Sequence, residues 1–215
     1  EGQDAIGIAA DNLAPKWFTK NPETLFAQDA DEMLKVIGQA CLIAEKVSGG
    51  NVFELWRGIH EQHQKWAEKE SIPPLLAGFG FSLVERALLD AFLRSREITL
   101  AAALRQNLFQ LELGYFHESL RGKSPAEFLP DQPLPEVHVR HTLGLSDPLT
   151  EAERTDDPRV DDGLPVSLEA GIQFYGLRYF KLKIQGKIEA DLERLQKVAA
   201  VIRAHAPSDY LFTLD

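Results

Sequence analysis

The sequence predicts a mostly helical α+β region followed by a region in which strands and helices alternate. Apolar residues recur at helical spacing within residues 1–121, whereas residues 122–135 contain several prolines and little apolar periodicity, which is typical of a linker. From residue 136 the order becomes strand, helix, strand, helix, strand, as expected for a parallel sheet with right-handed crossovers. This alternation alone fits either a doubly wound fold or the start of a (β/α)8 barrel.

In the first region, residues 5–10 are predicted to form a short strand and residues 11–22 a loop. Helices are expected where apolar residues recur every three or four positions and where capping residues precede them. The predicted helices cover 29–47, a segment capped by Asn51, a segment that begins at a capping box of Ser82 and Glu85, and 100–113.

In the second region, the clearest element is a helix over 188–205, in which Ile188, Leu192, Leu195 and Val198 recur at helical spacing. The other predicted elements are strands over 137–143, 179–184 and 210–215 and a helix over 168–177.

The composition and net charge limit the classes of molecule that this chain is expected to bind. The 215 residues carry a formal net charge of −10 without a basic face, so we expect no binding to nucleic acid or to a membrane. No apolar run reaches the roughly 18 residues that a membrane span needs. The single cysteine, Cys41, is expected to be a buried thiol because apolar residues surround it, and a cytoplasmic location is the default expectation.

Two histidines of the first region form a candidate metal-binding pair. His60 and His63 lie three positions apart on a predicted helix, a spacing that can bind a metal ion. The polar residues around them indicate a solvated helix face, and no third ligand is in view, so we expect no metal site there.

The middle strand of the second region carries the most informative pattern. Because side chains alternate between the two faces of a strand, Lys181 and Lys183 share one face. The opposite face carries Phe180, Leu182 and Ile184. If the apolar face packs under helices, two ammonium groups roughly 6–7 Å apart repel each other and are hard to desolvate, so one is expected to act as a base near neutral pH. The alternative is an edge strand with ordinary surface lysines.

The last predicted strand ends in Asp215, at the sheet edge where barrel enzymes place catalytic groups. A carboxylate one strand away from a lysine pair suggests a hard-cation site, because Mg²⁺ prefers oxygen ligands from several neighbouring strands. A lone Asp at a strand end is more often a cap or turn residue. Its position after the lysine strand is what makes Asp215 a candidate metal ligand.

The order of a Lys-x-Lys strand, an amphipathic helix and a strand ending in Asp resembles the second and third barrel strands of a known family, the mandelate racemase and muconate lactonizing enzyme branch of the enolase superfamily. Residues 84–91 are similar to the helix that precedes the barrel in that family. The resemblance implies an α+β capping domain over 1–121, a linker over 122–135, and the first strands and helices of an α/β (TIM-type) barrel over 136–215.

The resemblance also implies roles for three residues. Lys183 corresponds to the general base, and Lys181 to the neighbour that tunes this base and helps to hold the substrate carboxylate. Asp215 corresponds to the first of three carboxylate ligands to magnesium. The implied partner is a small-molecule carboxylate that loses the proton next to its carboxylate, and the enolate that forms is stabilised by metal and cationic groups.

Further substrate contacts are expected from two places. The family's capping domain closes over the barrel with an N-terminal loop, and this position corresponds to the loop that contains Lys16, Trp17 and Phe18. On the first barrel strand, Arg140 or His141 is placed to face the site from the strand's C-terminal end.

A lysine base is compatible with a racemase, an epimerase or a cycloisomerase. The alternatives are an acid-sugar dehydratase of the same superfamily, a non-catalytic binding protein on the same scaffold, and a doubly wound protein with lysines on a solvated face. The family's barrel has eight strands, so the resemblance implies that this sequence is a segment of a longer protein. We also expect a homo-oligomer, because the capping helices are rich in apolar and aromatic residues.

Overall fold

The computed structural model describes residues 4–19, 21–154 and 162–215. Within these residues lie six α-helices and one parallel sheet of three strands, so the chain combines helices with a small parallel sheet. It divides into two compact units, Glu1–Asp131 and Gln132–Asp215, and this division falls inside the proline-containing segment 122–135. No helix of the described part is long and apolar enough to cross a membrane.

The first unit is built from four helices. The second of them begins where the sequence predicts, because the Asn51 side chain accepts a hydrogen bond of 2.8 Å from the backbone N–H of Glu54. The buried core of this unit includes Met33, Val36 and Leu76. The helices are α1 (Phe26–Ala44), α2 (Val52–Lys69), α3 (Pro74–Ser95) and α4 (Leu100–Arg105).

The start of α3 corrects the sequence analysis. Pro74 opens the helix, as proline can at a first helical position, whereas the predicted capping box lies inside it. Within the helix, the Ser82 hydroxyl donates to the carbonyl of Phe79 at 2.8 Å. Glu85 accepts a hydrogen bond of 3.0 Å from the indole N–H of Trp56 on α2.

Two other predictions for this unit are also wrong. The predicted helix over 100–113 ends at Arg105, and Asn107 and Gln110 both adopt positive φ angles that a helix cannot continue through. The segment 5–10 forms no strand. Its backbone bonds to side chains of α3, since the N–H of Ile8 donates to Asp90 at 2.8 Å.

Two expectations about burial fail for a common reason, the face on which each residue falls. Cys41 is exposed, so the expectation of a buried thiol is wrong. His63 is fully buried, so the solvated face predicted around it is wrong at this position. It lies four residues after Ile59 and three before Trp66, and this spacing puts all three on the packed face of α2.

The second unit alternates strands and helices. The helix over 188–205 is confirmed with its predicted bounds, while the strands are shorter than predicted. The elements are β1 (Arg140–Leu143), α5 (Leu168–Tyr175), β2 (Tyr179–Leu182), α6 (Ile188–His205) and β3 (Leu211–Leu214). The sheet order is β1-β2-β3 with parallel pairing throughout, and Thr142, Lys181 and Thr213 lie in register.

One face of this sheet packs under helices. Phe180 is fully buried and Leu182 nearly so, and both join a core with Ile172 of α5 and with Val198 and Ile202 of α6. Because side chains alternate along β2, this packing turns the lysines to the other face.

Candidate functional site: two lysines and a strand-end carboxylate

Lys181 and Lys183 point in the same direction because the extended backbone of β2 continues past its last residue. Lys183 lies one residue beyond β2, but its backbone N–H donates to the carbonyl of Leu143 at 3.0 Å and so extends the pairing with β1. The alternation therefore persists through Lys183. Lys181 and Lys183 both lie on the face away from the helices, with 23% and 30% of their side chains exposed.

Asp215 is held in the same way at the end of β3. Its N–H donates to the carbonyl of Leu182 at 3.0 Å, and its carbonyl accepts from the N–H of Ile184 at 2.9 Å. These two hydrogen bonds fix the Asp215 backbone against the end of β2. Its carboxylate consequently reaches the lysines of the neighbouring strand.

Each oxygen of the Asp215 carboxylate meets a different lysine. The Nζ of Lys181 lies 3.0 Å from Oδ1, and the Nζ of Lys183 contacts Oδ2. The hydrogen bond from Lys183, followed by that from Lys181, lowers the pKa of Asp215 below its usual value. The three predicted residues thus form one bridged cluster of two ammonium groups and a carboxylate.

The two candidates on β1 are its first two residues, so the expectation that they lie at its C-terminal end is wrong, and their side chains lie on opposite faces of the sheet. The guanidinium of Arg140 donates to the hydroxyl of Thr213 at 3.3 Å, which places its charge on the lysine face. His141 lies in register with Phe180, on the face that packs under the helices. Burial lowers the pKa of His141, and the nearby Asp147 carboxylate partly opposes this effect. The geometry therefore favours Arg140 over His141 as a contact for a ligand on the lysine face.

Sequence reasoning missed other members of the lysine face. Tyr179 and Thr142 occupy alternate positions on β2 and β1 that point the same way as Lys181, and Thr213 bonds Arg140. The sequence could have predicted Tyr179, because the strand alternation that puts both lysines on one face puts Tyr179 on the same face.

In the first unit, Lys16 lies in a place that sequence reasoning did not predict. Its ammonium group donates to the Asp29 carboxylate at 2.6 Å and to the backbone carbonyls of Asn21 and Thr24 at 3.2 and 3.3 Å. Asp29 is 1% exposed, and the hydrogen bond from Lys16 lowers its pKa. Lys16 therefore anchors the loop to the first turn of α1.

The neighbours of Lys16 differ from each other. Trp17 is 65% exposed, whereas Phe18 packs against Phe79 of α3 with ring centroids 4.8 Å apart. Of the three loop candidates, Trp17 has the side chain that is most accessible to a ligand.

The described residues do not by themselves fit a magnesium site. Among them, no three His, Cys, Asp or Glu side chains lie close enough together to hold a metal ion. Asp215 offers one carboxylate, and both of its oxygens contact lysines. A hard cation requires several oxygen ligands, so Asp215 could be one ligand at most.

Comparison of this chain with protein-family models, with curated proteins and with solved structures found no match. The interpretation of the site therefore depends on its own residues and on their geometry.

Proposed function

We propose that this chain contributes the lysine base of an enzyme that removes the proton next to a carboxylate and stabilises the resulting enolate. The observation that carries this proposal is the position of Lys181 and Lys183 on one face, where both meet the strand-end carboxylate of Asp215. Both side chains are also less exposed, at 23% and 30%, than that of the surface residue Lys35 at 53%.

Removal of a proton next to a carboxylate requires positive charges of the kind that this cluster contains. A proton next to a carboxylate is only weakly acidic, so negative charge must be stabilised as it develops on the substrate. In the proposed reaction Lys183 takes the proton. The positive charges of Lys181 and Arg140, on the same face, stabilise the substrate carboxylate and the enolate.

The resemblance supplies the rest of the proposal. We infer a capping domain followed by the start of a TIM-type barrel, a small-molecule carboxylate as substrate, and a homo-oligomer as the assembly. We include magnesium in the proposal only if further oxygen ligands come from outside the described residues. Within the described residues, Asp215 is the one carboxylate at the lysine cluster. A racemase, epimerase or cycloisomerase is our first choice, and a hydroxy-acid dehydratase is the alternative because it uses the same first step.

A non-catalytic binding protein is the second candidate. The observation that favours it is the bridge itself, because both ammonium groups contact the Asp215 carboxylate, whose own pKa they lower. Such a protein would bind carboxylates without exchanging their protons.

Proton exchange separates these two candidates. The full-length protein would be incubated in heavy water with a panel of hydroxy acids and N-acyl amino acids, with and without magnesium, and deuterium at the α-carbon would be measured. We expect incorporation for at least one class of substrate, and its loss in Lys183→Ala. Binding of a substrate without exchange under any condition would refute the proposed function and support the binding protein.

A further inference from the structure

The hydrogen bond between Arg140 and Thr213 gives the lysine face a second group of polar side chains. The guanidinium of Arg140 donates to the Thr213 hydroxyl at 3.3 Å and so links β1 to β3 across β2. Thr213 lies in register with Lys181 and therefore on the same face as the lysines. Because Thr213 comes two residues before Asp215, this pair lies roughly 6–7 Å along the strand from the lysine cluster.

The direction of this hydrogen bond is fixed by the chemistry of its donor. A guanidinium has N–H groups and no acceptor, so the oxygen of Thr213 must be the acceptor. The hydroxyl proton of Thr213 is then left for a different acceptor, and no residue of the described part of the chain accepts it. Thr213 therefore presents a hydrogen-bond donor to the lysine face.

Arg140 also differs from other arginines of the chain in the kind of partner that it has. Arg86 pairs with Asp11 at 2.9 Å, and Arg178 pairs with Asp209 at 2.7 Å. Arg140 instead bonds a neutral hydroxyl, and within residues 4–19, 21–154 and 162–215 it forms no ion pair. A guanidinium beside a donating hydroxyl is complementary to a carboxylate, which only accepts hydrogen bonds and which arginine binds strongly.

We propose that Arg140 and Thr213 together hold the substrate carboxylate, with Thr213 as a substrate-binding residue that donates its hydroxyl proton to one carboxylate oxygen. This site depends on the proposed function for its catalytic meaning and deepens it, because it separates the groups that hold the carboxylate from the lysine that takes the proton. A spacing of roughly 6–7 Å along the strand leaves room for a carboxylate at Arg140 with its α-carbon within reach of Lys183. Since the site lies beside the lysine cluster, it does not require either lysine to leave Asp215.

Acetate binding to the full-length protein tests this site without any turnover. Acetate would be titrated at constant ionic strength, and its affinity would be measured by isothermal titration calorimetry. Thr213→Val keeps the shape of the side chain and removes the hydroxyl. We expect this change to weaken acetate binding about tenfold, since a hydrogen bond to a charged group contributes that much or more. Thr213→Ser keeps the hydroxyl and should bind acetate as the wild type does.

Thr142→Val is the matched control. Thr142 flanks Lys181 from β1 in the same register as Thr213 does from β3, but the hydroxyl that Arg140 bonds is that of Thr213. The affinity of Thr142→Val for acetate should therefore stay near that of the wild type. Arg140→Met should weaken binding, and Thr213→Val should add little to it, because Arg140 no longer fixes the direction of the hydroxyl. Circular dichroism checks that each variant is folded.

Three results would overturn the carboxylate site: a folded Thr213→Val protein that binds acetate as tightly as the wild type, an equal loss of affinity in Thr142→Val, and a wild type that binds no acetate. Acetate binding that depends on Thr213, without α-proton exchange in any substrate, would remove the proposed function alone. Exchange in the wild type, together with acetate binding that does not depend on Thr213, would remove the carboxylate site alone.

Discussion

The ammonium group of Lys181 lies 3.0 Å from Oδ1 of Asp215, which comes one residue after β3, the neighbouring strand of the sheet. The contact joins residues 34 positions apart and depends on the parallel register in which Lys181 pairs with Thr213, two residues before Asp215. Any change that shifts β2 against β3 would therefore separate the lysines from the carboxylate. Packing on the opposite face of the sheet is what fixes this register.

Phe180 provides the first prediction, because it is fully buried on the face opposite the lysines. We expect Phe180→Ala to lower the free energy of unfolding by about 3–5 kcal/mol, through lost apolar burial and the cavity left behind. Urea denaturation measures this. Phe174→Ala is the matched control, since Phe174 is 61% exposed and its loss should cost less than about 0.5 kcal/mol. Equal effects would mean that β2 does not pack as described.

Two glycines of α3 provide a second, paired prediction. A Cβ at Gly80 would lie 2.5 Å from the carbonyl carbon of Val36 and 2.9 Å from the nitrogen of Ile37. At Gly78, no atom of the described part of the chain lies within 4 Å of an added Cβ. Because backbone atoms of α1 cannot move aside cheaply, Gly80→Ala should destabilise the protein by about 1–3 kcal/mol. Gly78→Ala should instead stabilise it by up to about 1 kcal/mol, since alanine favours a helix. Thermal or urea unfolding of both variants reports the sign directly, and two changes of the same sign would contradict the α1–α3 packing.

His63 gives a prediction for pH. One ring nitrogen, Nε2, lies 3.2 Å from the carbonyl of Val36, and Nδ1 is buried with no hydrogen-bond partner among the described residues. Burial lowers the pKa of His63 below its ordinary 6.5, so the unfolded chain binds a proton more readily than the folded one. His63 therefore lowers the free energy of unfolding as the pH falls below about 6.5, because the unfolded chain then binds a proton that the folded chain does not. Above about pH 6.5 this loss of stability is absent.

The melting temperature should therefore fall between pH 7 and pH 5, and part of this fall should disappear in His63→Gln. The half-buried His141 acts in the same direction in the second unit, so some dependence on pH will remain. His117→Gln is the control, since His117 is exposed. An unchanged pH profile in His63→Gln would show that this ring is not buried in the neutral form.

The anchor between Lys16 and Asp29 yields a prediction for the loop. Lys16→Met leaves the nearly inaccessible Asp29 carboxylate without its cation, so the segment 21–25 should lose its attachment to α1. We expect faster amide hydrogen exchange in this segment, and at least partial recovery when Asp29→Asn is added. Lys46→Met, at an exposed position just after α1, should leave the exchange unchanged. Exchange that is the same in Lys16→Met and in the wild type would rule out the anchor.

The elements that sequence reasoning predicted well are those decided by neighbours along the chain. The helix over 188–205 follows from its apolar spacing, and the common face of Lys181 and Lys183 follows from strand alternation. Asp215 could be placed beside them because parallel strands end at the same edge of a sheet.

What sequence reasoning missed depends on partners distant in the chain. Lys16 was expected to face a substrate, but its ammonium group is held by Asp29. The segment 5–10 has the composition of a strand, but α3 supplies its hydrogen-bond partners. His63 has polar neighbours in sequence, yet the face of α2 on which it falls packs against α1 and α3. Tertiary packing decided each of these outcomes, and the local sequence pattern carries no information about that packing.

The most direct test of the proposed function is the rate of α-proton exchange in Lys183→Ala, with the best substrate of the panel and with melting temperature as a check on folding. Lys187→Ala is the matched control, because Lys187 is exposed and lies four residues further along the same chain segment. If Lys183 is the base, its loss should slow exchange by about 10²–10⁴-fold while Lys187→Ala stays near the wild-type rate. Exchange at the wild-type rate in folded Lys183→Ala would contradict the assignment of Lys183 as the base.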